Sequence, residues 1–133
     1  TGEAGTDGDA QSATTSGDYF ATARLNRQQA RDSAISLLED AAKQEDADQS
    51  VANQASESIQ VLASYTLKEA QIENLVTAKG YQDCVAFMGD DSLSIVVSTK
   101  DGELNATDVA KITDIAMTET GYAANAIRIM AAN

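Results

Sequence analysis

The periodicity of the chain changes from helical to extended at Gly80, and this one switch limits the folds open to it. Before it, Ile72, Leu75, Val76 and Lys79 recur at the three- and four-residue spacing of a helix face, and Gly80 stands where a left-handed cap is wanted. After it the period is two. Cys84, Val85, Ala86, Phe87 and Met88 lead into Gly89-Asp90-Asp91-Ser92, a polar turn, and then Leu93, Ile95 and Val97 alternate with Ser94, Val96 and Ser98. The pattern predicts two antiparallel strands joined as a hairpin. Grouped by apolar content, Val85 and Phe87 are expected to share a face with Leu93, Ile95 and Val97, under a helical cover.

Further along, Asn105 is a helix cap with Asp108 in the first turn, Val109, Ile112, Ile115 and Ala116 form an inward stripe, and Gly121 is a second stop. Ala126 to Ala131 alternates again, with Ile127 and Ile129 on one side and Arg128 and Met130 on the other. A helix between the second and third strands implies that those two run parallel, with a right-handed crossover. The expected fold is α+β: a helix-strand-strand-helix-strand unit whose three-stranded sheet carries helices 69–79 and 106–120 on one face.

Upstream, residues 1–17 are small and polar and read as a linker, leaving 18–133 as one domain. A helix is expected from Tyr19 to about Gln44, capped by Ser16 or Asp18, with a thin apolar stripe that includes Phe20, Ala23, Leu37 and Leu38. Glu45 to Asp48 interrupts the pattern and offers caps for a second helix with Val51, Ala55, Ile59 and Leu62 on its stripe. Thr66 and Glu69 match a capping box, so a third helix can start there, and Ser64 to Leu67 is either a kink or a stop.

Composition narrows the function. Nine basic residues against twenty-one acidic ones leave a net charge of −12, which disfavours nucleic acid and anionic lipid surfaces. Histidine is absent, and with it the commonest general base and zinc ligand. The single cysteine, Cys84, permits no internal disulfide, and without a histidine beside it a nucleophilic role is poorly supported. Asp90-Asp91 lacks the alternating ligand spacing of a calcium loop. No cofactor, metal or catalytic group is expected. A carboxylate-pair enzyme would need two convergent acids in a deep pocket, which composition alone neither supplies nor excludes.

Arg24, Arg27 and Arg31 stand at i, i+3 and i+7 and so share one face of the first helix. They either pair with nearby carboxylates or form a docking stripe for an acidic partner, since arginine is favoured at interfaces. The second face of the sheet, expected to show Ala86, Met88, Val96 and Met130 beside Arg128, is neither fully apolar nor charged. A partner strand, a second copy or the first two helices could cover it. Candidate partner-binding residues are therefore Arg24, Arg27, Arg31, Met88, Val96, Arg128 and Met130.

The segments IENLVTAKGYQDCVAF, LSIVVST and VAKITDIAMTETGYAANAIRI resemble the C-terminal domain of the stage III sporulation protein AH family (SpoIIIAH-like), over roughly residues 19 to 131. Its most specific pieces are Lys79-Gly80-Tyr81, the hairpin, and Glu119-Thr120-Gly121 followed by Ile127 and Ile129. The helix carrying Arg24-Leu25-Asn26-Arg27 also looks like the family's long N-terminal helix. The resemblance implies a ring-building-type domain like those of type III secretion and flagellar basal bodies. It implies a non-catalytic channel subunit held by an N-terminal transmembrane helix, which fits a chain that begins at Thr1 without methionine. It places the domain between mother-cell and forespore membranes, joined to a SpoIIQ-like LytM-domain protein and to further copies or related ring subunits. A stand-alone adaptor binding a peptide or strand without forming a ring is the alternative.

Overall fold

The computed structural model describes residues 16–44, 48–99 and 102–132. Most of the expected linker, and the Lys100-Asp101 turn, lie outside the described residues. The elements are α1 (Ser16–Lys43), α2 (Gln49–Ala78), β1 (Cys84–Met88), β2 (Leu93–Ser98), α3 (Ala106–Thr120) and β3 (Ile127–Ala132), with a single 3-10 turn at Ala124–Ala126 before β3. The sheet order is β1-β2-β3, antiparallel between the first pair and parallel between the second, as the hairpin and the intervening helix require.

Local signals set the helix ends. Asp48 caps α2 by accepting from the Val51 N–H at 2.9 Å. Asn105 and Asp108 form a reciprocal capping box at the start of α3, at 2.8 and 3.3 Å. Gly121 ends α3 at φ +77°, in the left-handed region, with its N–H on the Met117 carbonyl at 2.8 Å.

Two expectations are corrected. The Thr66–Glu69 box does not start a third helix: α2 runs unbroken through Ser64 to Leu67, and the Thr66 hydroxyl donates back to the Leu62 carbonyl at 3.1 Å. The second correction concerns β1. Its register pairs Cys84 with Val97, Ala86 with Ile95 and Met88 with Leu93. Cys84, Ala86 and Met88 therefore face α2 and α3 together with Leu93, Ile95 and Val97, while Val85 and Phe87 lie on the far face with Val96. The cause is parity. Met88 and Leu93 close an even-numbered loop, so even positions of β1 oppose odd positions of β2, and the grouping by apolar content alone is off by one residue.

The main core is Ile72 and Val76 of α2, Ile112 and Ala116 of α3, and the inner face of β1 and β2, with Ile127 and Ile129 packed against it. On the far face, the N-terminal end of α1 lays Phe20, fully buried, over Val85 and Val96. Helices thus contact both faces of the sheet. At 28 and 30 residues, α1 and α2 span about 42 and 45 Å, against about 20 Å for a six-residue strand. The α1–α2 pair therefore projects well past the sheet.

Candidate interaction surfaces

A three-stranded sheet has two edges, and the structure treats them differently. At β1 the outward backbone groups are met by charged side chains from both long helices. Glu73 accepts from the Ala86 N–H at 2.8 Å, and Glu69 accepts from the Met88 N–H at 2.7 Å. Arg24 donates to the Cys84 carbonyl at 2.8 Å and Arg27 to the Ala86 carbonyl at 2.5 Å. Asp83 accepts from the Cys84 N–H at 2.8 Å. Carboxylates stand where a neighbouring strand would offer carbonyls, and guanidiniums where it would offer N–H groups.

Pitch makes the match possible. Residues four apart on a helix rise about 6 Å, and alternate residues of a strand about 6.7 Å, so Glu69 and Glu73 reach successive outward N–H groups. The arginines repeat along α1 at a similar interval. These side chains also bind one another. Arg31 holds Glu69 through two contacts at 2.5 and 3.1 Å, Arg27 lies 2.6 Å from Glu73, and Arg24 pairs with Asp83. The Glu69 side chain is fully buried, and those of Arg27 and Arg31 are only 16% and 14% exposed. A sheet edge closed in this way cannot accept another strand.

Among the described residues the β3 edge carries no such cover from α1 or α2, and Arg128 and Met130 are exposed beside it, on the face away from α3. Of the other candidate contacts, Val96 is buried under Phe20, and Met88 lies on the inner face against the main core. Arg24 remains 36% exposed while bonded to β1. The structure thus gathers Arg24, Arg27 and Arg31 at one edge and leaves Arg128 and Met130 on another part of the surface. Sequence reasoning missed Glu69 and Glu73 as their partners. The signal was there: Glu69, Ile72, Glu73 and Val76 lie on one helical stripe, and a carboxylate in an apolar stripe demands a buried cation or donor.

Three tyrosines clamp the turns. Tyr65 of α2 donates to Asp90 at 2.5 Å, and Tyr122 donates to the Gly89 carbonyl at 2.6 Å, so the hairpin loop is held from two sides. Tyr81 donates to Asp108 at 2.5 Å, tying the end of α2 to the start of α3. The hydrogen bond to Asp90 pushes the Tyr65 phenol up to about 12, and burial with the Asp108 bond does the same for Tyr81. Burial and the charges of Asp90 and Asp91 raise Tyr122. A folded-state pKa above the unfolded value of about 10 means stability present below pH 10 and lost as pH rises toward 12. Alkaline unfolding is therefore expected in that window, together with a tyrosinate absorbance step near pH 12. Tyr65→Phe and Tyr81→Phe should each remove amplitude near pH 12; amplitude lost near pH 10 instead, in both variants, would mean that the clamps do not form.

Cys84 is buried and its thiol is raised to about 12, chiefly by burial, so it stays protonated at neutral pH. Among the described residues no cluster of three or more metal-binding side chains occurs, and no helix is long and apolar enough to cross a membrane.

Comparison with known proteins places this architecture. The chain is similar in fold to a chain in the structure of the SpoIIQ-SpoIIIAH pore forming complex, at 22% identity and a TM-score of 0.71, covering 86% of this chain and 99% of that one. It is also similar to the enteropathogenic E. coli type III secretion system protein EscJ, at 21% identity and a TM-score of 0.50, covering 56% of this chain and half of that one. At these identities both likenesses concern the fold. No curated protein matches the sequence. The family model described as SpoIIIAH-like protein matches residues 2–129, nearly the whole chain, and on that match this chain belongs to the SpoIIIAH-like protein family.

Proposed function

We propose that the chain is a non-catalytic structural subunit of an intermembrane channel or ring complex formed during endospore development. In this reading the domain lies in the space between mother-cell and forespore membranes, anchored by an N-terminal transmembrane segment, and assembles with a SpoIIQ-like LytM-domain protein and with further copies. Family membership over residues 2–129 carries the reading. The likeness to a chain of the SpoIIQ-SpoIIIAH pore forming complex, and to a secretion-system protein, supports it.

The sheet edges support an assembly role in a specific way. With β1 closed by side chains, the exposed Arg128 and Met130 beside β3, and the half-exposed Arg24, are the expected contacts that remain within a partner's reach. Arg27 and Arg31 act indirectly, by seating α1. Size-exclusion chromatography with a purified LytM-type partner domain tests the reading: co-elution is expected, weakened by Arg128→Glu with Met130→Glu. Separate elution of the wild-type pair at low salt would refute the pairing.

The net charge of −12 favours a second reading, a stand-alone adaptor, because copies of so acidic a domain repel one another. Tethering the domain to vesicles by its N-terminus separates the two. Rings visible by electron microscopy at high surface density support the subunit, and a monomeric carpet supports the adaptor.

A further inference from the structure

The part of α1–α2 that extends past the sheet has an apolar surface that the fold leaves open. Between the second half of α1 and the first half of α2 runs a groove of about 780 Å³, floored by Ala34, Leu37, Leu38, Val61 and Leu62 and ended by Tyr65. Leu37 is 70% exposed and Val61 43%. In this half of α2 only Ala55 is fully buried. Two helices side by side bury one stripe each, and a third element is needed to cover the flank.

Charge selects the occupant. The charged side chains lining the groove are Glu57 and Asp90, both acidic; Glu39 and Asp40 follow Leu38 on α1, with Lys43 in its last turn, and Asp91 follows Asp90 in the hairpin loop. Residues 1–15 cannot fill it by composition, since they contain no apolar side chain larger than alanine and are themselves acidic. A second copy, at −12, would bring like charge to an acidic rim. We infer that the α1–α2 groove is a docking site for a cationic amphipathic segment of another protein, one that seats leucine-like side chains on Leu37 and Val61 and sets lysine or arginine against Glu57 and Asp90. The inference rests on the reading of the chain as an assembly subunit and names a class of partner for it. The recognition mode is a helix laid in a groove, independent of the strand edges.

The probe is a synthetic amphipathic helix of leucine and lysine, with a leucine–glutamate peptide as control, titrated into the labelled domain by NMR. Amide shifts are expected around Leu37, Val61 and Asp90, with binding by the lysine peptide only and affinity falling as salt rises. Glu57→Lys and Leu37→Ser should each weaken binding at least about tenfold, which is about 1.4 kcal/mol. Neither side chain has a role in the core. Equal binding of the glutamate peptide, unchanged affinity in both variants, or shifts confined to another surface would overturn the inference. So would concentration-dependent dimerisation in the ultracentrifuge that Leu37→Ser abolishes, because the occupant would then be a second copy. The LytM-domain pairing is read out separately. Co-elution with that partner alongside loss of peptide binding would leave the assembly role standing without this groove, and the reverse result would do the opposite.

Discussion

Glu69→Ala should cost about 3–5 kcal/mol, the expected scale when one partner of a buried ion pair is removed. The carboxylate is fully buried and makes three kinds of contact: two to Arg31, one to Arg27 at 3.6 Å, and one to the Met88 N–H. Truncation strands the Arg31 guanidinium, which is mostly out of water, takes from Arg27 the weaker of its two carboxylate partners, and leaves a backbone donor of an edge strand without its acceptor. In chemical denaturation the midpoint should fall with an unchanged slope, and the thermal midpoint should drop by about 10 °C or more. Glu69→Gln keeps an oxygen for Met88 and should lose roughly half as much. Removing both charges, as Glu69→Leu with Arg31→Leu, should be milder than Glu69→Leu alone, because no uncompensated cation is left at Arg31. A loss under about 1 kcal/mol in Glu69→Ala would show that water already solvates the ladder.

This variant also bears on association. With the Met88 N–H bare, β1 becomes an edge able to pair with another strand, so Glu69→Ala is expected to aggregate at concentrations where the parent stays monodisperse. The charged ladder is thus both a stabilising network and a block against uncontrolled strand addition. On the proposed reading as an assembly subunit, that block restricts contact with other chains to chosen surfaces.

Phe20→Ala should cost about 3 kcal/mol, at the low end for a buried aromatic, because the site lies near the start of α1 and the helix end can relax into the space. Phe20 is fully buried against Val85 and Val96, with the Tyr19 ring edge-on at 5.2 Å. It is the main apolar anchor between α1 and the far face of the sheet. Its loss should loosen α1 as far as the arginines, so amide exchange at Ala86 and Met88 should quicken along with the fall in stability. Phe20→Leu, which keeps most of the volume, should stay within about 1.5 kcal/mol. Wild-type stability in Phe20→Ala would mean that α1 is held by its ion pairs alone.

The order and type of the elements were legible in the sequence because their signals are local. Asp48, Asn105 with Asp108, and Gly121 act on backbone groups within one turn, and the change of period at Gly80 needs no distant partner. The parallel β2–β3 pairing followed from the intervening helix. Which face each strand of the hairpin shows was decided by register, where a single residue of offset moves Val85 and Phe87 from one side of the sheet to the other. Thr66 and Glu69 had the spacing of a cap, but packing kept α2 continuous and turned Glu69 into the sheet edge.

The sequence by itself determined that a helix, a hairpin, a second helix and a last strand would make a three-stranded mixed sheet, because dihedral preference and apolar spacing act between near neighbours. Only the tertiary structure decided what Arg24, Arg27 and Arg31 do. Their partners lie between 35 and 60 residues away in the chain, so local spacing could show that Glu69 and Glu73 need buried cations but not which cations meet them. Two helices and one strand had to meet before the pitch of a helix and the repeat of a strand could coincide.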